Sequence, residues 1–161
     1  RSEDAVLNLQ GDFSPLDDVK LASGARFRAS YGPLSLYYSG FVNPLGFDKK
    51  GAYALHVEEG SATQQAFALL PESRVVGAFH NVSAVLLEDP EVASIETDVL
   101  VLGDDRDATD TVQALASSIP GMRGVYGGRV RNAHQVEALT ANLISANRRY
   151  KAHAGIRITD V

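Results

Sequence analysis

The run Asp98-Val99-Leu100-Val101-Leu102 constrains this chain more than any other stretch. Its apolar residues fall on both faces, so both must be covered, as in a central parallel strand. Gly103-Asp104-Asp105 turns the chain after it. Arg106 to Ile119 reads as a helix with Val112, Leu115 and Ile119 on one side, stopped by Pro120-Gly121. Met122 to Tyr126 is a short strand and Gly127-Gly128 a flexible corner. Asn132 then caps a long helix reaching Tyr150, with Val136, Leu139, Leu143 and Ile144 as its apolar stripe. Upstream, Phe41-Val42 ends a strand and Asn43 to Asp48 reads as a loop, because Pro44 removes a donor and Gly46 permits unusual dihedrals. Ser61 opens a helix with Gln64 at capping-box spacing, Ala62, Ala66, Leu69 and Leu70 share one face, and Pro71 ends it. A short strand, Arg74 to Phe79, follows. Strands alternating with helices at this spacing predict an α/β layer sandwich: an incomplete Rossmann-like parallel sheet, with the long C-terminal helix as a partly separate appendix and Ala154 to Val161 as a small β-branched tail.

Residues 1–40 carry no such text. Ala5 to Leu9 reads as a short strand, Asp17 to Ala22 as a turn of helix, Ser30 to Pro33 as a turn and Leu34 to Tyr38 as a strand, none with a persistent period. A dinucleotide-binding start needs a strand, a G-x-G-x-x-G turn and a helix. Gly11, Gly24, Gly32 and Gly40 lie too far apart to make that turn. At 161 residues the chain fits one domain, and 45% hydrophobic with 22% charged residues is ordinary for a globular protein. A net charge of -5 argues against a nucleic-acid partner. The basic run Arg148-Arg149-Tyr150-Lys151 is most simply the cationic last turn of a helix. Zero cysteines exclude disulfides, thiolate metal sites and a cysteine nucleophile. No apolar run approaches the ~18–20 residues of a membrane span, no signal peptide is visible, and the start at Arg1 reads as that of a fragment.

Ligands of open α/β sheets bind beyond the carboxyl ends of the strands. His80-Asn81 ends the strand Arg74 to Phe79, so His80 either orients a ligand or rests satisfied against a backbone carbonyl. Gly103-Asp104-Asp105 puts two carboxylates at a strand end, suited to Mg²⁺ or, more simply, to capping the next helix. His56, His134 and His153 have no ligand-like spacing, so no metal site is expected. Ser61 and Ser83 lack a G-x-S-x-G elbow, and Asn81-Val82-Ser83 matches a glycosylation sequon with nothing to suggest secretion. From the residues alone, the chain is an α/β domain with a polar-tipped crevice.

A resemblance adds to this. The segments Asn43-Pro44-Leu45-Gly46-Phe47-Asp48, Val57-Glu58-Glu59-Gly60-Ser61-Ala62, Val75 to Ala84 and Thr97 to Asp105 occur in order with Gly121-Met122-Arg123, Arg131-Asn132-Ala133, Val136 to Thr140 and Asn147 to Gly155. Together they make about three quarters of the chain, residues 41–161, similar to the NADPH-dependent coenzyme F420 reductases (F420:NADP oxidoreductases) in their actinobacterial form. The resemblance implies hydride transfer between C4 of a nicotinamide in NADP(H) and C5 of the deazaflavin in coenzyme F420 (an 8-hydroxy-5-deazaflavin). Such a step needs no catalytic acid, base or nucleophile and no metal from the protein. It needs two flat rings held at near-attack distance. It further implies that His80 and Val82 cradle the deazaflavin, that Ala154 contacts it, and that Gly46 and Ala84 lie against NADP. His134 stands where some relatives carry an arginine.

Family members begin with a glycine-rich turn for the pyrophosphate and a Ser-Arg pair for the 2′-phosphate. Residues 1–40 show neither, and Arg1-Ser2 is not that pair. The expected division is therefore a divergent segment, 1–40, and the C-terminal part of an F420:NADP oxidoreductase, 41–161. Either the chain starts after the NADP half has been cut away, or its first forty residues come from a shifted reading frame or a different source. The abrupt change at Phe41-Val42-Asn43 favours the shifted frame, which sequencing codons 30–45 of the coding DNA tests. The leading expectation is a soluble, cytoplasmic oxidoreductase that oligomerises through Asn132 to Tyr150. The alternatives are a non-catalytic deazaflavin-binding or interaction remnant lacking the NADP half, and a related NADP-dependent imine or keto reductase.

Overall fold

A computed structural model describes residues 6–9, 27–30 and 43–161. The expected helix at Asp17 to Ala22 and the strands at Leu34 to Tyr38 and Phe41-Val42 lie outside the described residues. Strand β1 (Val6–Leu9), close to the expected bounds, pairs antiparallel with β2 (Phe27–Ser30).

The stretch expected as a loop at Asn43 to Asp48 is mostly strand. β3 (Leu45–Asp48) pairs antiparallel with β4 (Gly51–Ala54), Gly46 opposite Tyr53. Asp48 makes the turn, its Oδ1 accepting from Lys50 N at 2.7 Å and Gly51 N at 3.1 Å, and Gly51 has φ 128°. The two apparent breakers have local reasons. Pro44 precedes the strand, and the space a Cβ would fill at Gly46 is taken by the Tyr53 ring.

Helix α1 (Ala62–Leu69) starts as expected, with Ser61 Oγ accepting from Gln64 N at 3.0 Å. Its covered face is not the expected one. Thr63 is buried, whereas Leu69 and Leu70 are exposed. A buried carboxylate, Glu137, sits over the helix start and draws Thr63 inward.

Only Val76–Gly77 of the expected strand Arg74 to Phe79 is β5, because Phe79 turns the chain with φ 63°. β5 pairs antiparallel with β6 (Thr97–Gly103), so His80 and Asn81 lie beside the body of β6 and not beyond its carboxyl end. A short helix, α2 (Ala84–Glu88), precedes β6. β6 and β7 (Met122–Gly128) are parallel, from Thr97 opposite Met122 to Leu102 opposite Gly128, and α3 (Arg106–Ser117) connects them. The expected parallel pairing thus resides in one β–α–β unit, whose central strand has Val99, Val101 and Leu102 wholly buried. The core cluster joins Val99 and Val101 to Val82, Ile95, Val112, Ala116 and Met122. α3 presents Thr109, Val112 and Ala116 inward; the expected Leu115 is 53% exposed because it lies off that i, i+3, i+7 line.

A 3₁₀ turn (Val130–Asn132) leads into α4 (Ala133–Tyr150), which packs against β4 and α1. Asn132 precedes this helix, yet its side chain makes no capping bond. Val136 is buried as expected, with Ala133, Glu137 and Ala141 beside it, while Leu139, Leu143 and Ile144 are half-buried. Among the described residues no helix is long and apolar enough to cross a membrane.

Candidate functional site

The site forms where the turn after β5 meets the start of β3, α4 and the C-terminal tail. Phe79 adopts a left-handed backbone, unusual for a bulky residue, and this throws His80 back beneath the turn. The His80 carbonyl accepts from Asn43 Nδ2 at 3.1 Å and Thr140 Oγ1 at 2.6 Å, joining the chain before β3 to α4. The ring is buried, and among the described residues neither Nδ1 nor Nε2 has a hydrogen-bond partner. Asn43 Oδ1 is buried and unpartnered too. Since Asn43 must turn its amide nitrogen toward the His80 carbonyl, the orphan is truly an acceptor. Burial lowers the His80 pKa to about 4, so at neutral pH the ring carries one N–H donor and one lone-pair acceptor. Among the described residues no backbone carbonyl satisfies the His80 ring; only its own carbonyl is engaged.

Asn81 locks the turn to the central strand, its Nδ2 donating to Asp98 O at 2.6 Å and its Oδ1 accepting from Leu100 N at 3.4 Å. Val82 follows with its side chain in the core, so at this position the backbone is what a ligand can meet. Ser83 Oγ lies 3.1 Å from His153 Nδ1, which brings the tail and Ala154 beside the turn. Ala84, half-buried, opens α2. Gly46 lies in β3, three residues after Asn43, and the Tyr53 ring covers the face a Cβ would fill. Asn43 and Thr140 escaped sequence reasoning as site residues; an isolated Asn or Thr carries no signal until the fold brings it to His80.

Beneath the turn, a Cβ added to Gly77 would lie 2.8 Å from Thr63 Oγ1 and 3.1 Å from His80 Nε2, so the bare glycine makes room for both. Thr63 in turn donates to Glu137 Oε1 from its backbone N at 2.9 Å and its hydroxyl at 2.7 Å, and Ala62 N donates to Oε2 at 2.9 Å. Burial pushes the Glu137 carboxyl pKa up, against the pull of these donors.

Glu137 therefore occupies the N-terminus of α1. Asp105 Oδ1 does the same for α3, accepting from Ala108 N at 2.8 Å, as the simpler reading of Asp104-Asp105 expects. Asp104 Oδ1 accepts from Val130 N at 3.3 Å at the 3₁₀ turn. A pyrophosphate needs open N–H groups at a helix start. These starts already hold carboxylates, so they do not fit the phosphates of NADP. The donors and acceptors at His80 and Asn43 do fit the polar edge of a deazaflavin. Among the described residues no group of three or more His, Asp or Glu could hold a metal ion.

No family model matches the sequence. The chain is 38% identical over 104 residues to the F420-dependent NADP reductase of Methanocaldococcus jannaschii, covering 64% of this chain and 46% of that protein. It is 42% identical over 107 residues to the F420-dependent NADP reductase of Methanothermobacter thermautotrophicus, 64% of this chain and 45% of that one. It is 38% identical over 106 residues to that of Methanothermobacter marburgensis, 64% and 47%. A crystal structure from Arthrobacter sp. FB24, provisionally assigned as an F420-dependent NADP reductase, superposes with a TM-score of 0.61 and 25% identity, covering 73% of this chain and 55% of that one. The chain spans about half the length of the curated relatives it matches. Over that half, the chain is similar to the F420-dependent NADP reductases in sequence and fold, as the resemblance read from its segments implies.

Proposed function

We propose that residues 43–161 form the deazaflavin side of a reductase that exchanges hydride between NADP(H) and coenzyme F420. Residues 41–161 are then the C-terminal part of that domain, and 1–40 a separate, divergent segment. The observation that carries this reading is the buried, unpartnered ring of His80, set in the segment that resembles the reductases. The two bound cofactors supply the hydride chemistry, between nicotinamide C4 and deazaflavin C5.

The protein's share is placement. Neutral His80 offers one donor and one acceptor to the deazaflavin edge, Asn43 Oδ1 a second acceptor, and the backbone of Val82 with Ala154 the flanks. On the same reading Ala84 lies against NADP, and Gly46 does so through its backbone, since the Tyr53 ring fills the space beside its Cα. No general acid or base is required, so rate depends on how well these groups hold ring against ring. Half-buried Leu139, Leu143 and Ile144 on α4 favour assembly of copies through that helix, and a clean monomer in a size measurement overturns this part. A soluble, cytoplasmic protein is the corresponding expectation for location.

The second reading is a deazaflavin-binding remnant without reductase activity, favoured by the carboxylates already seated at the helix starts. Mixing the purified chain with coenzyme F420 and excess NADPH separates the two. Catalysed loss of the deazaflavin's visible absorbance supports the reductase. Binding in a fluorescence titration without bleaching supports the remnant, and absence of both removes the proposal.

A further inference from the structure

We propose that Asp98, with Arg157, is a positioning residue that holds two walls of the site together, the His80–Ala84 turn on one side and the C-terminal tail on the other. This rests on the deazaflavin reading of that site. Asp98 is wholly buried, and each part of it holds something different. Its carbonyl accepts from Asn81 Nδ2 at 2.6 Å, fixing the turn. Its N–H donates to Ile156 O at 2.8 Å, fixing the tail. Its carboxylate takes four donors: Arg123 Nε at 2.7 Å and Arg157 Nη1 at 2.9 Å on Oδ1, Arg123 Nη2 and Ile158 N both at 2.6 Å on Oδ2.

The tail has no helix or strand of its own after α4, so side chains must fasten it. Arg123 reaches over to Ile158 O at 2.8 Å and Val161 O at 3.1 Å, and Arg157 ties back to Gly121 O at 3.0 Å and to Glu96. The tail runs so close to β6 that a Cβ at Gly155 would lie 2.5 Å from Thr97 Oγ1. At its other end Ala154 N donates to Asn147 Oδ1 on α4. Ala154 is thereby stretched between two anchors, with His153 against Ser83. Loosening the Asp98 anchor frees one wall while the core beneath β6 stays packed.

The test uses the full chain with Arg157→Gln, at a side chain 38% exposed, because Asp98→Asn risks the fold. The ligand-free arm follows the His153 imidazole by NMR. Ser83→Ala is expected to shift its resonances in the parent chain and to shift them clearly less in Arg157→Gln, because the loosened tail meets the turn less of the time. The ligand arm titrates coenzyme F420 by fluorescence. Arg157→Gln is expected to weaken binding roughly tenfold, the scale of losing a hydrogen bond to a charged group, with the melting temperature little changed and Arg157→Lys recovering part of the affinity. An unchanged His153 response together with unchanged affinity overturns the proposal, as does a fall in melting temperature with affinity intact. A parent chain that binds no F420 yet shows the His153 coupling removes the deazaflavin reading and leaves the positioning role standing.

Discussion

Glu137, on α4, accepts twice from Thr63, from its backbone N–H at 2.9 Å and its hydroxyl at 2.7 Å, and is 1% exposed. With Ala62 N as third donor, one carboxylate caps α1, pins it to α4 and sets the hydroxyl that shares the space over Gly77 with His80. Glu137→Ala would leave two buried donors and one partly buried donor unpaired, and we expect a loss of about 3 kcal/mol. Glu137→Gln keeps an oxygen but turns an NH₂ toward one of the donors, so its loss should be smaller than that of Glu137→Ala. Urea unfolding checks both, as a lower midpoint at unchanged slope.

His80 makes stability pH-dependent. Its folded pKa, about 4, lies below the ordinary 6.5, so between those values the unfolded chain binds more protons than the folded one. Stability then rises with pH: the contribution is complete above about 6.5 and is lost as pH falls toward 4, about 3 kcal/mol in all. Glu137 opposes this just above 4.5, because its raised pKa makes the folded state the better proton binder there. Unfolding free energies from pH 7 to 4 should show the rise, and His80→Gln should flatten it. A slope that is the same in His80→Gln as in the parent contradicts the burial of a neutral ring.

Much of the fold is legible because periodicity and caps act locally. The both-faces apolar run became the buried central strand, and Ser61 with Gln64 and Asp105 with Ala108 became helix starts. Misreadings arose where a distant partner decided. Glu137, 74 residues from Thr63, turned the polar side of α1 inward against the pattern of Leu69 and Leu70. Tyr53 filled the gap at Gly46 and turned an apparent loop into a strand. Of the candidate site, His80 is marked in the sequence by its place after a short strand. Asn43 and Thr140 are not, because they meet the His80 carbonyl only through folding across 37 and 60 residues.

Gly77 is a close approach directly beneath His80. A Cβ there would meet Thr63 Oγ1 at 2.8 Å and His80 Nε2 at 3.1 Å, and both side chains are buried. Gly77→Ala should therefore displace the His80 ring or break the Thr63–Glu137 bond, at about 1–3 kcal/mol, the usual range for overpacking. Deazaflavin affinity should fall with it, read by fluorescence titration against the parent. An alanine variant that binds as the parent does would mean that the His80 ring position is irrelevant to binding.

Asp98 should govern the acid limb. Hydrogen bonds from Arg123 hold its carboxyl well below the usual carboxylate range, helped by Ile158 N–H and Arg157 and opposed by burial. For a depressed carboxyl the sign is fixed: its contribution is whole above the unfolded value near 4 and is lost as pH falls below it. Two losses in separate windows are therefore expected on acidification, one from His80 above pH 4 and one from Asp98 below. Asp98→Asn should erase the second and spare the first. It should also lower the melting temperature at pH 7, because the Arg123 and Arg157 guanidinium groups lose their shared partner, although both are exposed enough to regain water and limit the damage. Thermal melts of parent and variant from pH 7 to 2 read both effects. An acid limb that persists unchanged in Asp98→Asn would assign it to other carboxylates.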